Sequence, residues 1–315
     1  MQQPSLHPSC KTVLLYFEDE QASATRLAQA ASLTPMPVER HQFPDGEIKL
    51  RLPDILPAHV VILRTLNDPN EKLIELLLLA RTARALGARH LSLVAPYLAY
   101  MRQDVAFHPG EAISQRIVGE FLAQLFDAVI TVDPHLHRVA TLQEAVPVAQ
   151  AIVLSGAPLL SDWIAAHRQN PLLIGPDEES AQWVAVAAER HGFDHAVCHK
   201  IRHGDRDVQL VLPSQSVAGR QVVLLDDVAS TGHTVAQAAR LLLAAGAASV
   251  DVAVTHALFA EGAQQLMQDA GIGEIWSTDC IAHSSNVVSM ATEIAQALSQ
   301  RQAASTPWSA PAAAA

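Results

Sequence analysis

Cysteine, aromatic residues, positive charge and long apolar runs are all scarce in this sequence, and each scarcity removes a class of protein. The three cysteines in 315 residues, Cys10, Cys198 and Cys280, are odd in number and far apart. Neither a disulfide framework nor a zinc-ligand spacing is expected, and a reducing, cytoplasmic setting fits. Aromatics make up only 4% of the chain. The cores must therefore be Ala, Leu, Val and Ile, which suits helices on parallel strands better than an aromatic-rich β-sandwich. Twenty-one Lys and Arg stand against 32 Asp and Glu, a formal charge of −11. With no basic stripe, nucleic acid is not an expected partner. Charge interrupts every apolar segment well short of the ~20 residues a membrane span needs. The opening MQQPSLHPSCKTVLLYFEDE also lacks the charged start and unbroken apolar stretch of a signal peptide, so no membrane association is expected. Neither GxxxxGK[ST] nor GxGxxG occurs, which counts against Walker-type and dinucleotide-binding folds.

Half of the residues are hydrophobic and 17% are charged, enough apolar material for sizeable cores. At roughly 150 residues per domain, the length suggests two domains. Short aliphatic runs at Val13–Phe17, Val60–Leu63, His90–Ala95, Ala128–Val132, Leu172–Gly175, His195–His199, Val222–Asp226, Ser249–His256 and Glu274–Ser277 read as strands. Helical patterns lie between many of them, at Asn70–Leu86, Ser114–Leu125, Glu179–His191 and Thr234–Ala245. In the first helix, Leu73, Leu76, Leu77 and Ala80 keep i, i+3, i+4, i+7 spacing. Gly87 and Gly246 stand where helix C-termini want glycine. The alternation predicts an α/β protein of mainly parallel sheets flanked by helices. The pattern occurs twice. It predicts similar domains over residues 1–149 and 150–300, divided near the small-residue stretch Glu144–Leu160, and a disordered tail over 301–315.

The segment VVLLDDVASTGHT, Val222–Thr234, carries the most chemistry. A buried strand ends on Asp226 and Asp227, and a loop of small residues, Ser230, Thr231, Gly232, His233 and Thr234, leads into a helix. In open α/β sheets, ligands bind beyond the carboxyl ends of strands. Backbone N–H groups at a helix start, helped by hydroxyls, suit a phosphate. Paired carboxylates suit sugar hydroxyls, directly or through hydrated Mg²⁺. An ordinary strand–turn–helix with Asp, Ser and Thr as caps is the plainer reading. Paired acids after a buried strand are costly without a role.

DDVASTGHT resembles the phosphoribosyl-pyrophosphate (PRPP) loop shared by type I phosphoribosyltransferases and ribose-phosphate diphosphokinases. Other segments resemble the diphosphokinase family specifically, and the likeness spans roughly residues 12–300. FPDGEIKLRLP (43–53) is a Pro-Asp-Gly turn before an alternating strand. It is similar to the family segment that crosses a subunit boundary to reach the adenine of ATP, which implies that Phe43 stacks on the base while Asp45 and Glu47 accept from it or order the loop. YMRQDVAFHPGEAISQR (100–116) resembles the family's ATP loop, which implies that Arg102 and Gln103 meet phosphates and base. The family carries further cations after the Asp, and here Val105 and Ala106 follow Asp104.

VITVDPHLHR (129–138) places His135 at the family's Mg²⁺–ATP contact, with Asp133 orienting it. Imidazole is an unusual ligand for so hard an ion, so a hydrogen bond from His135 to phosphate is the other role open to it. LLIGPDEES (172–180) matches the family's carboxylate near metal and ribose phosphate at Asp177, and Glu178 and Glu179 stand where the family has small residues. CHKIRHGD (198–205) carries Lys200 and Arg202 at alternate positions, on one face if extended, and looks like the family's catalytic pair.

The resemblance implies Mg²⁺, ATP and ribose 5-phosphate as ligands, PRPP and AMP as products, and a homo-oligomer with ATP at a subunit interface. Two alternatives stay open. One is a PRPP-consuming phosphoribosyltransferase. The other is a weakly active regulatory homologue, suggested by His233 in place of the family's Gly.

Overall fold

The computed structural model describes residues 12–136, 138–202 and 208–304. Two six-stranded, all-parallel sheets organise it. The first holds β1 (Thr12–Tyr16), β2 (Thr34–Pro37), β5 (His59–Leu63), β6 (His90–Val94), β7 (Ala128–Val132) and β8 (Gln150–Leu154), with β3 (Glu39–Gln42) and β4 (Ile48–Arg51) standing apart as an antiparallel hairpin. Its order is β2-β1-β5-β6-β7-β8. The second sheet holds β9 (Leu172–Gly175), β10 (Asp194–Val197), β13 (Gln221–Ala229), β14 (Ser249–Ala257), β15 (Ile272–Thr278) and β16 (Asn286–Val288). Its separate hairpin is β11 (His199–Arg202) with β12 (Val208–Val211). The order β10-β9-β13-β14-β15-β16 repeats the first sheet's topology. The expected duplication is therefore present, down to a hairpin after the second strand of each half.

The central strands are continuous aliphatic runs because helices cover both faces of each sheet. Along β1, Val13 and Leu15 enter one core and Leu14 the other. The first core meets α2 (Pro69–Ala85) and α3 (Ser114–Leu125) through Leu76, Leu79, Leu122 and Leu125. The other face is covered by α1 (Gln21–Ala31), through Leu27, and by the C-terminal helix Ala291–Ala304, through Ile294 and Leu298. In the second sheet, α5 (Ala157–His167) and α6 (Ala181–His191) take one face and α7 (His233–Ala244) takes the other; the short α4 (Leu142–Ala145) precedes β8.

Two expected boundaries meet regular elements. Residues 150–154 close the first sheet as β8, so the expected division at 149/150 meets a strand that belongs to the first sheet. The last helix, which follows the second sheet in sequence, packs on the first sheet and runs to Ala304, into the expected tail. Residues 305–315 lie outside the described residues.

Candidate functional site

The strand that carries the paired acids is longer than its apolar run. β13 continues past Asp226 and Asp227 to Ala229, still paired with β14 as far as Ala257, so both carboxylates belong to the strand and not to the turn after it. The turn is Ser230–Gly232. Gly232 adopts φ +75° at the N-terminus of α7, and a Cβ there would lie 3.3 Å from the Ala263 carbonyl oxygen. His233 is the first helical residue and is not among those with positive φ. The residue with the left-handed backbone is therefore Gly232, and His233 brings no backbone strain. The Ala260 N–H donates to the Ser230 carbonyl at 2.9 Å, tying the loop down.

A cleft of about 190 Å³ opens at this point. Residues 226–235 line it together with Arg102, His135, Asp177 and Glu179. The sequence-predicted Arg102, His135, Asp177, Asp226, Asp227 and Ser230–Thr234 thus converge from both halves of the chain. His135 Nδ1 and Asp227 Oδ2 are 2.8 Å apart, across 92 residues of sequence. Burial opposes the charge on both partners. Their mutual hydrogen bond and attraction prevail, lifting the His135 pKa above and holding the Asp227 carboxyl below its ordinary value. The pairing therefore favours the charged form of each partner. Asp226 is the opposite case. Burial, and then the negative charges of Asp227 and Asp177, push its pKa well above the ordinary carboxyl range.

Lys200 reaches from β11 to place Nζ 2.6 Å from Asp177 Oδ2. Asp177 in turn accepts from the Glu179 N–H at 3.1 Å, capping the short turn that follows β9. Glu178 points away and meets His199 Nδ1 at 2.8 Å, whereas Glu179 lines the cleft. Arg202 occupies β11 opposite Val208, and its side chain lies outside the described residues.

A second, more apolar cavity of about 350 Å³ adjoins the first and shares Arg102 and His135 with it. Gln103, Tyr97 and Met101 also line it; Tyr97 and Met101 were not singled out from sequence, since nothing in an aliphatic run distinguishes a cavity wall from core. Phe43, Asp45 and Glu47 lie elsewhere, in the turn between β3 and β4. That turn is closed by the Phe43 N–H donating to the Glu47 carbonyl at 2.7 Å and the Glu47 N–H donating to Asp45 Oδ1 at 3.2 Å. Phe43 is 40% exposed, and none of the three lines either cavity.

The expectation that Asp133 orients His135 is corrected. Asp133, buried and at φ +36°, accepts from the Gly156 N–H at 2.9 Å, Trp183 Nε1 at 3.1 Å and Thr255 Oγ1 at 2.6 Å. Its carboxylate joins the first sheet to the second and opens on a different groove; the group that holds His135 is Asp227. Sequence reasoning also missed His256. Fully buried at the end of β14, its Nε2 donates to the Val132 carbonyl at 2.9 Å. A histidine in an otherwise apolar strand was the available signal.

Among the described residues, no group of three or more His, Cys, Asp or Glu is pre-arranged to hold a metal ion. The cleft nonetheless offers the all-oxygen donors that a hard divalent ion prefers, in Asp177 and Asp226, and the negative charges of Asp227 and Asp177, which add to burial in lifting the Asp226 pKa, favour positive charge there. No helix among the described residues is long and apolar enough to cross a membrane, and Cys198 and Cys280 are buried free thiols.

Comparison with known proteins gives this geometry a family. Residues 12–125 match the N-terminal domain of ribose phosphate pyrophosphokinase, and residues 144–291 match the phosphoribosyl transferase domain. A ribose-phosphate pyrophosphokinase of Methanosarcina acetivorans is 33% identical over 279 residues, 88% of this chain and 96% of that protein. One from Methanopyrus kandleri is 34% identical over 276 residues, 87% and 94% of the two chains. The fold of the phosphoribosylpyrophosphate synthetase of Mycobacterium smegmatis superposes with a TM-score of 0.82 at 23% identity, over 93% of this chain and 99% of that one. A transferase alone would match only the second half. With both halves matched and relatives aligned nearly end to end, the chain belongs to the ribose-phosphate pyrophosphokinase family.

Proposed function

We propose that this protein transfers the diphosphoryl group of ATP to the 1-hydroxyl of ribose 5-phosphate, giving PRPP and AMP. The observation that carries the reading is the convergence of Arg102 and His135 from the first half with Asp177, Asp226, Asp227 and the Ser230–Thr234 loop from the second in one cleft, beside a more apolar cavity large enough to take a base.

The 5-phosphate of the sugar is received by the N-terminus of α7, where backbone N–H groups converge and Ser230, Thr231 and Thr234 add hydroxyl donors. Asp226 and Asp227 lie next to that loop and accept from the ribose hydroxyls. ATP lies across the other wall, its base in the cavity lined by Tyr97, Met101 and Gln103, and its phosphates toward Arg102. The His135 ring, held through Nδ1 by Asp227, turns its other nitrogen to a phosphate oxygen, a hydrogen-bonding role that its raised pKa favours. The ribose 1-hydroxyl attacks the β-phosphorus in line and gives up its proton to solvent, while the bond from the β-phosphorus to the oxygen bridging to the α-phosphate breaks and AMP departs with that oxygen. Lys200, held ready by Asp177, stabilises the charge that builds on the transferring group, with Arg202 as its partner on the same hairpin. Asp177 and Asp226 would hold a Mg²⁺ ion, which would supply neutralisation of phosphate charge. Positioning and electrostatics suffice, so no covalent nucleophile is needed.

Phe43, Asp45 and Glu47 sit on an exposed hairpin, outside both cavities of their own chain. This supports a homo-oligomer in which the hairpin of one copy reaches the base cavity of the next. Buried free thiols fit a cytoplasmic setting.

The test is to incubate the protein with ATP, ribose 5-phosphate and Mg²⁺ and to follow AMP and PRPP. Lys200→Ala is expected to lower kcat by at least 100-fold, a typical loss for one transition-state donor. Near wild-type turnover by the variant would overturn its role. Absence of AMP from the wild type would favour the regulatory homologue.

A further inference from the structure

We propose that Asp104 and Arg138 form a clamp that positions Arg102 and Gln103 against His135, setting affinity for the nucleotide. This inference rests on the diphosphokinase reading above.

Two separate loops wall the region where the cavities meet. One carries Arg102 and Gln103, and the other, after β7, carries His135. Neither is part of a sheet. The first is tied down at its base, where Gln115 Nε2 donates to the Met101 carbonyl at 3.0 Å and the Gln115 N–H donates to the Gln103 carbonyl at 3.1 Å. Beyond Gln103, the chain runs 104–113 without regular structure until α3. Its first residue, Asp104, is taken up by the other loop. The Arg138 guanidinium donates through Nη1 to Asp104 Oδ1 at 2.6 Å, and the Arg138 backbone N–H donates to Oδ2 at 3.1 Å.

One residue thus engages both oxygens of the carboxylate, by its side chain and by its main chain. That fixes the approach of one loop to the other far better than a single flexible ion pair would. The Asp104 side chain is almost fully covered although it lies near the surface. The Arg138 guanidinium also sits 5.8 Å from the centre of the Phe107 ring, three residues further along the first loop. The clamp therefore grips that loop at two points, immediately after the pair that faces the nucleotide. Asp104 and Arg138 line neither cavity. They act through Arg102, Gln103 and His135, as positioning residues.

The position also bears on the residues that follow Asp104. Val105 and Ala106 bring no charge, so the loop cannot be drawn to a triphosphate by its own cations there. A contact formed before the nucleotide arrives supplies the alignment instead, and lowers the ordering entropy left to be lost on binding.

The test uses the intact enzyme and five variants: Arg138→Ala, Arg138→Lys, Asp104→Arg, Arg138→Asp, and the exchange that combines the last two. The KM for ATP, the KM for ribose 5-phosphate and kcat are measured, with calorimetric ATP binding alongside. Arg138→Ala is expected to raise the KM and Kd for ATP about three- to tenfold, the effect of losing a charge-assisted contact partly open to water. The ribose 5-phosphate KM stays within about twofold, because the sugar phosphate is received by the Ser230–Thr234 loop while Arg102 and Gln103 serve the nucleotide. Lys recovers part of the loss, and the charge exchange does better than either of its single substitutions. The thermal midpoint of each variant reports folding separately. The clamp is refuted if Arg138→Ala leaves ATP affinity unchanged, if both substrates weaken equally, or if the two substitutions add without coupling. A wild type that binds ATP but forms no AMP sinks the functional reading alone, since the clamp is then read from the Kd. A wild type that binds no ATP sinks both.

Discussion

Replacing Asp226 by Asn should make the ligand-free protein more stable while destroying its activity. Asp226 is a half-buried residue of the cleft wall, and its pKa is raised first by desolvation and then by the negative charges of Asp227 and Asp177. Two unit charges ~4 Å apart repel by about 4 kcal/mol at an effective dielectric of ~20. The carboxyl relieves part of that by holding a proton, so a realistic gain on removing its charge is about 1–3 kcal/mol. Asn keeps the acceptor for the Asp227 N–H, which now donates to Asp226 Oδ1 at 2.9 Å, so no buried donor is orphaned. At the average unfolding entropy per residue, a 315-residue chain should melt about 2–5 °C higher.

The pH dependence follows from the sign of the shift. A carboxyl whose folded pKa lies above its unfolded value contributes stability at low pH and loses it as pH rises through the folded pKa. The margin of Asp226→Asn over the wild type should therefore widen with rising pH and close in acid. The assay is differential scanning calorimetry of both proteins without nucleotide or divalent ion, from pH 5 to pH 8, paired with the AMP assay. A melting point that falls at neutral pH, or a margin that shrinks as pH rises, would refute the argument that this carboxylate is kept for binding at the expense of the fold.

Two further predictions concern the partner charge and the domain cover. Asp227→Asn should lower the titration midpoint of His135, because it removes the hydrogen bond and charge that raise it. Stability supplied by His135 is present below its unfolded pKa of ~6.5 and lost as pH rises through the folded value, and imidazole C–H resonances followed by NMR would report the shift directly. Leu298→Ala in the last helix, where Leu298 is 3% exposed against the first sheet, should cost about 2–5 kcal/mol in urea unfolding; a loss below about 0.5 kcal/mol would mean that this helix does not cover the sheet in solution.

The sequence revealed those parts of the fold where burial leaves a local mark. The central strands of both sheets are apolar runs because both of their faces are covered, and the helix from Ser114 to Leu125 has the predicted bounds. Edges leave a weaker mark. β8 is an edge strand whose residues are half-exposed, so it looked like a boundary; β2 is the edge strand Thr-Pro-Met-Pro, and proline reads as a break even where the missing N–H faces away from the sheet. The cover supplied to the first sheet by the last helix had no local signal at all, because the relation between Ile294 and Val61 exists only in the folded chain.

The same distinction divides the site. Residues 226–234 form one strand, turn and helix start, so a contiguous motif was enough to find them. The ion pair of His135 with Asp227 joins residues 92 positions apart, and neither residue alone told of the other. Asp133 is instructive because its proximity in sequence misled. Two residues from His135, it turns away to accept from Gly156, Trp183 and Thr255, since a carboxylate buried at the junction of two sheets must be satisfied by whatever donors both provide. The net charge of −11 acquires a physical reading from the same geometry. Acids that meet a local donor, such as Asp227, Asp177 and Asp133, are held by it. Asp226 accepts from the Asp227 N–H but also meets the negative charges of Asp227 and Asp177, so a cation brought with a phosphate ligand would relieve repulsion there.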